Sequence, residues 1–212
     1  MENRKNYQKE LEKIIKGLNG EKKKVFLHSC CAPCSSYCME YLRQFFSVTV
    51  FYYNPNIMQK EEYEKRVKEQ KRLIEEYNKS KEADTIQFLE GEYSPSCFLS
   101  AVKGLETCKE GGARCFSCFR LRLLETAKQA KENGMDYFTT TLTIRPLKNA
   151  EKINEIGEEI AKETGIAFLP SDFKKNNGYL RSIALSKQYG LYRQNYCGCD
   201  FSKPQKESEN EG

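Results

Sequence analysis

The stretch VFLHSCCAPCSS, residues 25–36, decides the fold, because an apolar run passes into a cysteine-rich loop and then into a helix. The run KVFLHSC predicts a buried strand, and the helix after it begins near Pro33, since proline is favoured in the first turn of helices. A second apolar run, VTVFYYNPNI, predicts another strand that ends at Asn54 and Pro55. A strand, a helix and a second strand in this order begin an α/β pattern.

The remaining chain continues this alternation. In order, we expect a helix over QKEEYEKRVKEQKRLIEEYNK, a strand at TIQFLEGEY, a helix over CFRLRLLETAKQAKEN, a strand at MDYFTTTLT, a helix over residues 149–164, a strand at IAFLPSDF and a helix around RSIALSKQYG. The pattern predicts an α/β fold, a single domain with a mostly parallel, Rossmann-like sheet flanked by helices. Its active site is expected at the strand carboxyl ends, where such sheets bind ligands. We place an N-terminal helix at residues 1–20, the α/β domain at 21–202 and a disordered polar tail at 203–212.

The composition indicates a protein of a reducing compartment. The chain has 212 residues, no apolar run of about 18 residues that could span a membrane, and a charged start, MENRKNYQKE, unlike a secretory signal. We therefore expect a cytoplasmic location and no membrane partner. Ten cysteines in that compartment indicate metal or redox chemistry, because cytosolic thiols stay reduced. The net charge of +5 is compatible with a polyanionic partner.

Most of the cysteines fall into three groups. The first is Cys30, Cys31 and Cys34 after the first strand, with Cys38 one helical turn further; the second is Cys115 and Cys118 in ARCFSCFRLRL; the third is Cys197 and Cys199 in NYCGCDF. The first two groups supply soft thiolate ligands at C-x-x-C spacing, which suits zinc or an iron–sulfur cluster. Spacing alone leaves both metals open. The adjacent thiolates of Cys30 and Cys31 favour a cluster, because its separate iron atoms can bind one thiolate each.

The Cys197-Gly198-Cys199 segment predicts different chemistry. A disulfide between cysteines this close in sequence is strained and readily reduced, which suits the transfer of two electrons. Gly198 gives the backbone freedom that such a tight ring needs. A free thiol pair and two further metal ligands are the alternatives that the spacing leaves open.

Other functional classes fit the residues less well. The loop HSCCAPCSS contains no glycine, so a phosphate cradle like that of the ATP-pyrophosphatases that modify tRNA is not supported. A thioredoxin-like use of Cys31 and Cys34 would leave the other cysteine groups unexplained. A zinc-stabilised RNA-binding module without catalysis is the main alternative to an enzyme. The single histidine, His28, excludes a multi-histidine metal site, and its apolar neighbours predict a packed or supporting role.

Five blocks of sequence carry a resemblance to a known family. They are LHSCCAPCSSY, FYYNPNI, RCFSCFRLRL, FTTTLTIRPLKN and FKKNNGYLRSIALSKQYGLYRQNYCGC, and together they cover roughly residues 24–202. They resemble epoxyqueuosine reductases of the QueH type, cobalamin-independent enzymes that complete queuosine in tRNA. The resemblance implies a [4Fe-4S] cluster held by Cys30, Cys31, Cys115 and Cys118, a mononuclear iron with Cys34 as candidate ligand, and a catalytic redox-active pair at Cys197 and Cys199. Some members carry Asp at the position of Cys34, and a thiolate can replace a carboxylate as an iron ligand.

The resemblance also implies the partners, a tRNA bearing epoxyqueuosine and an electron donor that the sequence does not identify. The reaction would remove the epoxide oxygen with two electrons and leave an alkene. Bases of an anticodon loop are read by stacking on aromatic side chains, and phosphates are bound by Arg and Lys. We expect substrate contacts from residues of TIRPLKN, FKKNNGYLRS and YGLYRQNY, namely Arg145, Lys148, Lys174, Lys175, Tyr179, Arg181 and Arg193.

Overall fold

Five parallel strands form the centre of the molecule. In the computed structural model, which describes residues 5–80 and 84–202, they are β1 (Lys23–His28), β2 (Phe46–Tyr52), β3 (Gln87–Glu90), β4 (Tyr137–Thr140) and β5 (Ala167–Phe168). The sheet order is β3-β2-β1-β4-β5, and every pairing is parallel. This arrangement confirms the predicted α/β class and Rossmann-like sheet. Within the described residues the sheet is wholly, rather than mostly, parallel.

Seven α-helices connect and cover these strands in the described part of the chain. They are α1 (Tyr7–Gly17), α2 (Ala32–Leu42), α3 (Lys60–Asn78), α4 (Pro95–Ala101), α5 (Ala113–Glu132), α6 (Ala150–Thr164) and α7 (Gly178–Gln188), with short 3-10 helices at Thr141–Ile144 and Asp200–Ser202. The sequence pattern does not predict α4, because its seven residues are too few to show helical periodicity. Over residues 5–80 and 84–202, no helix combines the length and apolar character needed to cross a bilayer.

The strands are covered on both faces, which explains their apolar character. Val25 and Leu27 of β1 pack on one face with residues of α1 and α2, whereas Phe26 packs on the other face with residues of α5 and α6. Alternation of side chains along a strand produces this division. Helix α1 belongs to the same core, because its Leu11 is fully buried there.

Several boundaries differ from the sequence-based expectation. The predicted strand MDYFTTTLT stops at Thr140, whose Oγ1 accepts a hydrogen bond from the Leu142 backbone N–H at 3.1 Å and begins a 3-10 helix. Strand β5 keeps only two residues of IAFLPSDF. Helix α5 begins at Ala113, earlier than predicted, so both cysteines of its C-x-x-C lie on the helix. The predicted tail at 203–212 lies outside the described residues, and the predicted N-terminal helix is described only from residue 5.

The sheet order creates a crevice beside β1. His28 at the end of β1 is in register with Thr140 at the end of β4, so the loops after these strands leave the sheet side by side. Helix α2 then packs on one face of the sheet and α5 on the other. Parallel sheets bind ligands at such a point, where the strand order reverses. A ligand site is therefore expected at the segments after β1 and β4.

Candidate metal and redox site

Three cysteine sulfurs meet in the loop after β1. The Sγ atoms of Cys30, Cys31 and Cys34 lie within 4.8 Å of one another, and those of Cys30 and Cys31 are 3.9 Å apart. Cys31 is the N-cap of α2, and Cys34 lies in its first turn. The Cys30 backbone N–H donates to Thr141 Oγ1 at 3.3 Å, which ties this loop to the segment after β4. Among the described side chains, this trio is the one group of potential metal ligands so close together.

The trio stabilises one thiolate. Hydrogen bonds from the Cys31 and Cys34 thiols hold the pKa of Cys30 well below its ordinary value, and the positive charges of Arg122 and Lys148 lower it further. Donation to Cys30 raises the pKa of Cys31 to about 11 and raises that of Cys34 well above its usual range. Because cysteine binds metals as thiolate, a metal bound here would displace the protons that these two thiols share with Cys30.

The second cysteine pair opens helix α5 on the opposite face of the sheet. Cys115 and Cys118 lie in its first turns, where the helix dipole favours negative charge. The Gly111 backbone N–H donates to Cys115 Sγ at 3.2 Å. Burial raises the pKa of Cys118, and the nearby Arg122 partly offsets that rise. Two helix N-termini, those of α2 and α5, thus carry thiols at the same end of the sheet.

The Cys197-Gly198-Cys199 segment forms the third part of the site. The two sulfurs are 3.8 Å apart as free thiols, and Ser202 Oγ lies 3.2 Å from the first sulfur and 3.4 Å from the second. Gly198 has a φ of +114°, and a Cβ at this position would lie 2.7 Å from Ile57 Cγ1. Only glycine satisfies both the backbone conformation and the close approach.

The pKa values of the two thiols in this segment are shifted in opposite directions. The hydrogen bond with Cys199 holds the pKa of Cys197 well below its usual value, and Lys148 and Ser202 act in the same direction. The same hydrogen bond, together with burial, raises the pKa of Cys199 far above its usual value. A thiolate beside a thiol is the pairing from which thiol–disulfide exchange proceeds.

All three groups border one crevice with two lobes. One lobe is lined by Cys115, Cys118, Cys197 and Cys199, and the other by Cys30, Cys34 and Cys197. The residues that line both lobes are Glu110, Arg122, Leu147, Lys148 and Cys197. The fold therefore brings together cysteines that the sequence places in three distant segments.

Comparison with known proteins identifies the family. Residues 25–205 match the family described as Epoxyqueuosine reductase QueH. The chain belongs to the QueH family. A relative of that name from Staphylococcus epidermidis is 45% identical over 207 residues, which cover 95% of this chain and 87% of the relative. The Staphylococcus aureus relative is 44% identical over 210 residues, which cover 97% of this chain and 87% of that relative. The Thermotoga maritima relative is 36% identical over 184 residues, which cover 84% of this chain and 89% of that relative.

Membership of the QueH family confirms the resemblance of the five sequence blocks. It makes the protein an oxidoreductase, since the curated relatives are named as reductases. The zinc-stabilised binding module and the thioredoxin-like enzyme, which the cysteine spacing leaves open, do not fit this family. The positions of the cysteines are the part of the site that the structure adds.

Two of the residues expected to bind substrate reach the crevice of this QueH member directly. Arg145 lines one lobe and Lys148 lines both, and Lys148 Nζ lies 5.0 Å from the centre of the Phe119 ring. Lys174 lies just outside, with its Nζ 3.3 Å from the Asp172 carboxylate and 3.4 Å from the Lys148 carbonyl oxygen. We refer to Arg145, Lys148 and Lys174 as the basic edge of the crevice.

The remaining predicted substrate residues lie away from the lobes. Arg181 forms a bidentate ion pair with Glu40 of α2, at 2.9 and 2.5 Å. Arg193 donates to a serine hydroxyl of α7 at 2.9 Å. Lys175 is exposed and Tyr179 is half-buried. A role for these four residues in this QueH protein requires a substrate that extends beyond the crevice.

Three residues that the sequence analysis does not single out organise the QueH site. Asn54 Nδ2 donates to the Ser29 carbonyl at 2.8 Å, and its Oδ1 accepts from Arg122 Nη2 at 2.5 Å. Arg66 Nη1 donates to the Cys197 carbonyl at 3.2 Å. The position of Asn54 just after β2 is the signal that sequence offers, because polar residues at strand carboxyl ends line the binding crevice. The two arginines give no such signal, since charged residues on helices normally face solvent.

His28 has the supporting role that the sequence predicts. The ring is fully buried, and its Nδ1 lies 2.8 Å from Thr140 Oγ1. Burial, together with the positive charge of Arg122, lowers the pKa of His28 to about 3. The ring is therefore neutral at ordinary pH and links the ends of β1 and β4.

Proposed function

We propose that the protein reduces epoxyqueuosine to queuosine at the wobble position of a tRNA anticodon. We further propose that it uses a [4Fe-4S] cluster, an adjacent iron and the redox-active pair Cys197 and Cys199. The observation that carries this proposal is the convergence of three cysteine groups on one crevice at the carboxyl ends of β1 and β4. Family membership supplies the substrate class. A tRNA substrate is also consistent with a cytoplasmic location.

The donor set supports an iron–sulfur cofactor. Its proposed ligands are Cys30, Cys31, Cys115 and Cys118, with Cys34 left for a second iron. The close approach of the first trio offers thiolates to more than one iron atom. Two helix N-termini and the Gly111 N–H bond to Cys115 favour the negative charge of such a group. The buried Arg122 adds a positive charge next to it.

The chemistry divides between the cofactor and the chain's own residues. When bound, the iron cofactor supplies one-electron transfer and Lewis acidity next to the epoxide. Removal of the epoxide oxygen consumes two electrons and two protons and releases water. Oxidation of the Cys197 and Cys199 thiols to a disulfide releases two electrons and two protons. Oxidation of one dithiol therefore supplies the electrons and protons that reduction of one epoxide consumes. An external electron donor restores the thiols for the next turnover.

The basic edge supports binding of the anticodon loop. Arg145 and Lys148 line the crevice, where they would contact the modified nucleotide and its phosphate. Lys174, Lys175, Arg181, Arg193 and Tyr179 would contact the flanking nucleotides. A single-stranded loop suits this arrangement, because its bases can leave the stack and enter a narrow site.

The test is conversion of a tRNA that carries epoxyqueuosine, followed by mass spectrometry of the released nucleosides. The iron-loaded protein and a chemical reductant should yield queuosine over many turnovers. Cys197→Ser should lose multiple turnover, whereas Cys97→Ser, which changes an exposed thiol outside the crevice, should behave as wild type. Absence of queuosine with the loaded wild-type protein would refute the proposed reaction. Full multiple turnover by Cys197→Ser would refute the role of the pair.

A further inference from the structure

We propose that Arg122 is a positioning residue for the iron–sulfur cofactor, which joins the two cysteine-bearing elements and supplies a fixed positive charge that favours reduction. The inference rests on the proposed [4Fe-4S] cluster. It goes beyond that proposal by giving a defined role to a side chain that is not a ligand.

The Arg122 guanidinium connects helix α5 to the loop after β1. The side chain lies one helical turn after Cys118 and is only 2% exposed. Its Nη2 donates to Asn54 Oδ1 at 2.5 Å, and its Nε lies 3.3 Å from His28 Nε2. Asn54 in turn donates to the carbonyl of Ser29, where the cysteine loop begins, at 2.8 Å. The Arg122 side chain therefore links the helix that carries Cys115 and Cys118 to the loop that carries the first cysteine group.

The charge of Arg122 has no carboxylate partner in the described parts of the chain. No Asp or Glu oxygen there lies within 4.0 Å of its guanidinium, whereas the equally buried Arg66 pairs with Glu62 at 2.7 Å. An unpaired buried charge is costly unless an anion compensates it. Glu110 also lines both lobes but lies beyond 4.0 Å of the guanidinium, whereas Arg122 Nη1 lies 4.0 Å from Cys118 Sγ, so a cysteine thiolate is the nearer anion.

A fixed positive charge next to the cluster changes the reduction potential of the cluster. A cluster held by four thiolates is anionic and gains one more negative charge when it is reduced. A nearby positive charge stabilises the reduced form more than the oxidised form, and therefore raises the reduction potential. Lys148 also lies near the site but is more exposed than Arg122, so its charge is better screened by water.

The experiment compares Arg122→Met, Arg122→Lys and Arg120→Met in iron-loaded protein purified without oxygen. The readouts are iron and acid-labile sulfide per chain and the midpoint potential of the cluster, from a redox titration followed by electron paramagnetic resonance. Arg120 provides the matched control, because it lies on the same helix, is 41% exposed and pairs with Glu163 and Glu159.

We expect Arg122→Met to lower the midpoint potential by about 60 mV, which corresponds to a tenfold change in the one-electron equilibrium. Arg120→Met should leave it unchanged. Arg122→Lys keeps the charge but cannot contact both Asn54 and His28, so it should hold less iron at a near-wild-type potential. Circular dichroism of each iron-free variant checks that the fold is retained.

Full iron content with an unchanged potential in Arg122→Met would overturn the proposal. If Arg122→Met holds no cluster, the midpoint potential of Arg122→Lys becomes the test. A wild-type potential in Arg122→Lys supports the charge role, and a shift of about 60 mV in that variant contradicts it. Wild-type protein without sulfide would instead refute the proposed cluster, so the two failures are distinguishable.

Discussion

Arg66 on helix α3 donates a hydrogen bond from Nη1 to the backbone carbonyl of Cys197 at 3.2 Å. Asn56 Nδ2 donates to the same carbonyl at 3.2 Å, and the Met58 backbone N–H donates to the Gly198 carbonyl at 3.3 Å. The segment between β2 and α4 thus holds the Cys-Gly-Cys turn by its backbone. The sulfurs are left free to react while their position in the crevice is fixed.

Replacing Arg66 by Met should therefore impair electron supply without removing the cofactor. The variant loses the hydrogen bond to Cys197 and leaves Glu62 without its ion-pair partner, which should cost about 1–3 kcal/mol of folding free energy. We expect iron and sulfide to stay near wild type while multiple turnover falls at least tenfold. Lys60→Met, an exposed change on the same helix, is the control. Turnover equal to wild type in Arg66→Met would show that the turn needs no such anchor.

Gly198→Ala tests the backbone of the redox turn. Alanine is strained at a φ of +114°, and its Cβ would meet Ile57 at 2.7 Å, so we expect a loss of about 1–3 kcal/mol in the free energy of unfolding. Urea denaturation measures the change. Gly17→Ala is the matched control, because Gly17 is the last residue of α1 and a Cβ there meets nothing within 4 Å, so alanine should not destabilise the fold. Equal effects of the two substitutions would contradict this structural account.

The low pKa of Cys197 predicts the pH dependence of its alkylation. Because the folded pKa is depressed, the thiolate persists as pH falls through neutrality, and labelling by iodoacetamide should decline only in acid. Cys199→Ala removes the hydrogen-bond partner that lowers the pKa of Cys197, so the decline should move to higher pH. Mass spectrometry of the Cys197 peptide measures the rate, with the exposed Cys97 as an internal reference for the reagent. An identical pH profile in both proteins would exclude this hydrogen bond as the cause.

The double substitution Lys174→Glu/Lys175→Glu should weaken tRNA binding and flatten its salt dependence. Each lost phosphate contact should reduce the slope of log K against log salt by about 0.7–0.9. Because Lys174 also pairs with Asp172, the single variant Lys175→Glu separates lost binding from a lost ion pair. The control is Lys22→Glu/Lys79→Glu, which makes the same charge change at the opposite end of the strands. Unchanged binding across a salt series would remove this patch from the interface.

The sheet and the cysteine groups could be predicted because both follow from local pattern. The apolar run before His28 and the turn at Asn54 mark strands by composition, and Pro33 marks a helix start. The carboxyl end of β4 could not be predicted in this way. The run TTTLT has the composition of a strand, but the Thr140 side chain bonds to the Leu142 N–H and turns the backbone into a 3-10 helix. A side chain that competes for a backbone group overrides β propensity.

The connections between the cysteine groups could not be predicted either. Arg122 and Arg66 look like solvent-facing residues of amphipathic helices, yet both are buried at the site. Their partners lie in segments remote in sequence, so only the packed fold reveals them. The same holds for Lys174 and Arg181, whose partners Asp172 and Glu40 neutralise part of the basic patch that the sequence suggests.

The most direct test of the central claim is the iron, zinc and acid-labile sulfide content of protein purified without oxygen. The account predicts about four iron and four sulfide per chain, with iron in excess of four if Cys34 holds a second site, and a broad brown absorbance. Cys115→Ser/Cys118→Ser should lose most of this iron, while Cys97→Ser should keep it. One zinc per chain without sulfide would contradict the account, because the converging cysteines would then hold a colourless structural metal.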